Sequence, residues 1–177
     1  MPTIIFFSSA SSASLGAILL PAGIGLIAAA IAIWGVLTQR AMARRRATMD
    51  HIAKTSIDQD MINANKQFIA LAKDPGGLVK WADASLEGTA EVESIRLVLN
   101  DMELISVSIQ FGIMDFEYIK RFSHGTIVKY WTASAPLVYA LRSRTGSNTI
   151  YLEFEQLHEW IAGAKKPKRS IWWKKVF

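Results

Sequence analysis

No cysteine occurs in the 177 residues. That excludes a disulfide framework, a Cys-ligated zinc site and a thiol nucleophile. No charged side chain precedes Arg40, and no acid falls in 40–46 or 165–177. Chemistry motifs are missing too. Gly76-Gly77 is followed by no Walker Lys-Ser/Thr, and no Gly-x-Ser-x-Gly elbow, kinase set or dinucleotide fingerprint is present. Enzyme chemistry therefore has no positive support, and no cofactor is expected. With 51% apolar residues, the chain is neither disordered nor collagen-like.

The sequence pI near 9.6 invites a nucleic-acid reading. The position of the charges argues otherwise. Arg40, Arg44, Arg45 and Arg46 form a basic collar, and six more cations lie between Lys165 and Phe177. Residues 47–164 hold the other ten cations and all 15 acids, a net −5. The order is an uncharged head, a basic collar, an acidic body and a basic tail.

Leu15 to Thr38 is an uncharged run rich in Leu, Ile, Ala and Gly. At ~1.5 Å per residue it reaches roughly 36 Å, enough to cross a hydrocarbon core of about 30 Å. Trp34 lies toward its Arg-rich end, where interfacial aromatics are favoured. A signal peptide fits poorly, since no basic n-region precedes the run and no small-x-small site follows it. The charges after the span place residues 1–14 outside and 39–177 in the cytoplasm. Gly25, Ala29 and Ala32 share one face, which suits close helix association in lipid.

Beyond the collar, helical periodicity dominates and no period-2 run stands out. A helical stalk over 39–57 is expected, then a domain over 58–163. Asp58 caps a helix over 59–73, and Asp74-Pro75-Gly76-Gly77 breaks it. A short helix follows over 78–84. Thr89 caps the strongest helix, 90–111, whose stripe is Val92, Ile95, Val98, Leu99, Met102, Ile105 and Ile109, and Gly112 ends it. Asp115 caps a helix over 116–131, and Ala135-Pro136 opens another that ends near Arg144. Ser147 or Asn148 opens the last, through Ile161. The fold class is all-α: one N-terminal transmembrane helix plus a bundle of about five or six helices.

Arg96, Asn100 and Glu103 lie at helical spacing in the most apolar helix. They predict a polar ladder that receives Arg142 from a neighbour, either a ligand or partner contact or a network that fixes helix register. His51, His124 and His158 show no metal-ligand spacing, and one Glu155-x-x-His158 is too little for a di-iron site. No metal is expected. The tail combines Lys168, Arg169, Lys174 and Lys175 with Trp172 and Trp173. That mixture suits an anionic membrane surface better than base stacking, and the collar arginines share this surface role.

Several segments, taken in order, resemble one family. They are Arg44-Arg45-Arg46-Ala47-Thr48, the run Ile95 to Glu103 with Gly112-Ile113, Trp131 to Pro136 with Leu141-Arg142, and Tyr151 to Glu155. The family comprises small bacterial proteins with one amino-terminal membrane helix and a cytoplasmic helical domain of unknown function. The resemblance implies an inner-membrane, single-pass topology and assigns no activity. The expected function is a membrane-anchored, non-enzymatic domain that binds a protein or ligand, as adaptor, sensor or accessory subunit. Its partners would be the bilayer and either a second copy or another membrane protein. Two alternatives stand beside it: an oligomeric membrane effector whose packed spans perturb the bilayer, and a helical-bundle enzyme using Glu103.

Overall fold

The computed structural model describes residues 15–163, with side chains from residue 23. The described residues are all-helical. Five α-helices follow one another: α1 Leu15–Ile57, α2 Gln59–Lys73, α3 Ala90–Gln110, α4 Phe116–Thr145 and α5 Leu152–Ile161. The chain divides into two compact units at Ala41 and Met42, so α1 contributes to both.

In the first unit, α1 is the one described helix long and apolar enough to cross a membrane, with a mean hydropathy of 1.6. None of that apolar window is buried; Leu26 is 74% and Trp34 71% exposed. The exposure runs around the helix, as a lipid-facing surface requires. A Cβ added at Gly25 meets nothing within 4 Å, and Ala29 and Ala32 are exposed, so the small-residue face is uncovered.

The second unit is built by caps and stripes. Asp58 is extended (φ −70°, ψ 115°) and accepts the N–H groups of Asp60 and Met61, starting α2. Thr89 accepts Val92 N–H and Asp115 accepts Tyr118 N–H, starting α3 and α4. Gly112 takes φ +69° just beyond α3 and Gly146 φ +70° beyond α4, a conformation that disfavours any side chain. All seven residues of the expected α3 stripe are buried. Around them Phe68, Ile119, Ile127, Val138, Phe154 and Leu157 are almost wholly excluded from solvent.

The structure changes three expectations. The segment after Gly77 forms two 3-10 turns, Val79–Ala82 and Ala84–Leu86, rather than one short helix. Pro136 does not start a helix, because α4 continues through it. The buried side chains Ile127, Trp131, Ser134, Leu137 and Val138 lie on both sides of the proline. That continuous burial outweighs the one hydrogen bond Pro136 removes. Just ahead of it, Ser134 Oγ donates to Tyr130 O at 2.8 Å. Finally, α5 begins at Leu152 and not at Ser147 or Asn148. Tyr151, at its N-cap, is left-handed (φ +51°) and supplies no side-chain cap.

Candidate functional site

The residues expected to form a ladder do not converge. Glu103 reaches across to α5, where its carboxylate accepts the Phe154 N–H at 3.1 Å. It supplies from α3 the cap that Tyr151 does not. Burial raises the Glu103 pKa above the ordinary carboxylate value, while the Phe154 and Glu153 N–H groups pull it back. Gln110 also bonds Glu153, so the first turn of α5 meets α3 between Glu103 and Gln110. Arg96 and Asn100 lie short of that contact and are exposed. Arg96 pairs with Glu93 on its own helix at 3.2 Å.

Arg142 makes a separate joint. Its Nε donates to Ile150 O at 2.9 Å and its Nη1 to Glu155 Oε2 at 2.7 Å. Tyr139 Oη donates to the other Glu155 oxygen at 3.1 Å, and the guanidinium lies over the Tyr139 ring. His158 stacks on Trp131 nearby, with ring centroids 5.9 Å apart. Burial lowers the His158 pKa below 6.5, against the raising effect of Glu159 and Glu155. This cluster locks α4 to α5.

The collar is partly structural. Arg45 faces Asp115 at 3.6 Å and Arg46 faces Asp50 at 3.9 Å. Thr48, fully buried, donates to Arg44 O and accepts the Asp115 N–H, both at 2.8 Å. Arg44 borders a cavity of about 230 Å³ with Ile109, Met114 and Phe116. Arg40 is exposed. The tail residues Lys168, Arg169, Trp172, Trp173, Lys174 and Lys175 lie outside the described residues.

A larger cavity than the one beside Arg44 lies elsewhere. A cavity of about 420 Å³ opens among the end of α1, α2, α3 and the first half of α4. That volume lies in the range of ~300–1,000 Å³ typical of small-molecule sites. Eight of its eighteen lining residues are aliphatic, Ile52, Ile62, Val98, Met102, Ile105 and Ile119 among them, and eight are polar. Two polar pairs stand out. His51 Nε2 stands 3.2 Å from Asp101 Oδ1, with side chains only 14% and 12% exposed. The alignment is not that of a hydrogen bond, so His51 Nε2 has no such partner. On the facing side Tyr130 Oη donates to Asn65 Oδ1 at 2.8 Å, and Tyr130 packs on Phe68. Burial raises the Tyr130 pKa above its ordinary value.

Sequence spacing misses this site. His51 and Asp101 are far apart in the chain and meet only because α1 packs beside α3. The faint signal is a set of polar residues inside apolar helical stripes, His51 after Met49 and Asn65 between Ile62 and Phe68. Among the described residues no group of three or more His, Asp or Glu side chains is placed to hold a metal ion.

Fold and site together define an all-helical domain with a cavity, carried on a helix that could span a membrane. The family described as Domain of unknown function (DUF4760) matches residues 20–160, and the chain belongs to it. No curated protein and no solved structure gives a match.

Proposed function

We propose that this chain is a membrane-anchored, non-enzymatic binding domain that senses a small ligand. Residues 15–38 span the inner membrane of a bacterium, with the amino terminus outside and the helical domain in the cytoplasm. The observation that carries this reading is the double use of α1. One helix provides an exposed apolar segment and, near its other end, the cavity wall at His51, Ile52 and Thr55. A ligand that packs against that wall favours one position of the helix over another, and binding then biases whatever the helix adjoins. The four-arginine collar after an uncharged head supports the orientation.

Membrane fractionation with a carbonate wash, followed by protease treatment of spheroplasts, tests the topology. A carboxy-terminal tag should stay in the pellet and survive external protease. Release into the wash, or digestion of the tag, contradicts the reading. The uncovered Gly25/Ala29/Ala32 face supports self-association as the route by which the signal leaves the domain. Replacing all three by Leu should abolish cross-linked dimers.

A further inference from the structure

We infer that the cavity among α1–α4 binds a single-chain amphiphile with a carboxylate head, its aliphatic tail inside and its head at Lys66. This rests on the reading of the cavity as a ligand site and names the chemistry it takes.

The walls point to an aliphatic chain. Branched and flexible side chains line the space, among them Met61, Ile62, Met102 and Ile105. Methionines adapt to a flexible occupant. A planar heterocycle would want two ring faces to stack between, and the lining offers no such pair. Tyr130 already lies on Phe68, with centroids 4.8 Å apart, and Phe122 is 63% exposed.

The charges point to an anionic head. Among the acidic and basic residues lining the cavity, Asp101 is turned to His51 at 3.2 Å. Lys66 has no ionic partner among the described residues. It is exposed on α2 between Ile62 and Ile69, one turn from each, a position from which its methylene stem can lie along the apolar surface that would hold the tail. Its ammonium stays in water at the rim, where a carboxylate can meet it without being desolvated. The hydroxyls of Ser123 and Thr126 add hydrogen-bond donors in the same lining, while those of Thr55 and Ser56 are given to the His51 and Ile52 carbonyls. The source we assign is a free amphiphile entering from water, not a bilayer phospholipid.

The test uses the full chain in phosphatidylcholine nanodiscs with ¹³C-methyl methionine. Met61 and Met102 line the cavity, and the exposed Met49 does not. Decanoate should shift the Met61 and Met102 methyl signals saturably below about 1 mM and leave Met49 in place. Lys66→Glu should weaken decanoate about tenfold, from the lost attraction and the added repulsion. Decanol should bind more weakly than decanoate and equally to wild type and variant. Ser123→Trp, which fills the space from its rim, should abolish the shifts for both probes.

Absence of any saturable shift at Met61 and Met102 overturns the ligand class and the cavity reading together. Equal binding of decanol and decanoate, untouched by Lys66→Glu, overturns the carboxylate head and leaves the cavity reading standing. A shift at Met114 alone places the occupant in the cavity beside Arg44 and overturns the assignment. Met61 and Met102 signals that move on changing to anionic nanodiscs, before decanoate is added, overturn the free source in favour of bilayer lipid.

Discussion

The two halves of α4 (Phe116–Thr145) do different work. Its first half borders an open cavity through Ile119, Ser123, Thr126 and Tyr130. Its second half is tied down by Arg142, which bonds Ile150 O and Glu155 within 3 Å. Both halves carry polar side chains at helical spacing. In the second half Arg142 finds protein partners through Nε and Nη1, its buried Nη2 having none. In the first half Ser123 and Thr126 face free space. Polar residues in an apolar helix thus mark a joint where their partners are present and a site where space is left beside them.

Perturbing the joint gives the largest effects. Arg142→Met should lower stability by about 2–3 kcal/mol, because Glu155 loses its counter-ion in a site the two side chains largely shield from water. Chemical denaturation of the full chain in detergent measures it. Next comes Glu103→Ala, at about 1–2 kcal/mol, through the lost cap on α5. Glu103→Gln keeps an acceptor and should lose less than half of that. A loss in Glu103→Gln as large as in the alanine variant would mean that the charge, not the cap, matters. Changes at the cavity should be milder. Ser123→Trp should alter stability by less than about 1 kcal/mol while removing decanoate binding.

The smallest effect is in pH. The folded-state pKa of His158 lies below its ordinary value of 6.5, so the unfolded chain binds the proton more readily. Its contribution to stability is complete above pH 6.5 and is lost as pH falls toward the folded pKa. Glu103 has the opposite sign: its raised pKa means stability declines as pH rises from about 4.5 toward its folded value. Denaturation curves between pH 4 and 8 should show both, and His158→Gln should flatten only the higher-pH limb.

Local chemistry made much of the fold readable in advance. Asp58, Thr89 and Asp115 each cap the helix expected of them, because a cap needs only the next three residues. The α3 stripe is buried as its period demands. Pro136 misled because its effect depends on burial at Trp131 and Val138, a tertiary matter. The start of α5 was hidden for the same reason, since its cap is Glu103 from another helix. The cavity was least legible. His51 and Asp101 are joined by packing alone, and no spacing rule links them. Glu103 and Arg142, expected in one ladder, bond separately instead, Glu103 to Phe154 N–H and Arg142 to Ile150 O and Glu155.

The absence of cysteine makes the central claim directly measurable. Ser123 and Ser143 both lie on α4, 20 residues or roughly 30 Å apart, the first lining the cavity and the second exposed beyond the joint. In the full chain, thiol labelling of Ser123→Cys and Ser143→Cys is followed with and without decanoate. Decanoate should slow labelling of Ser123→Cys several-fold and leave Ser143→Cys unchanged. Equal rates with and without decanoate at both positions would contradict it.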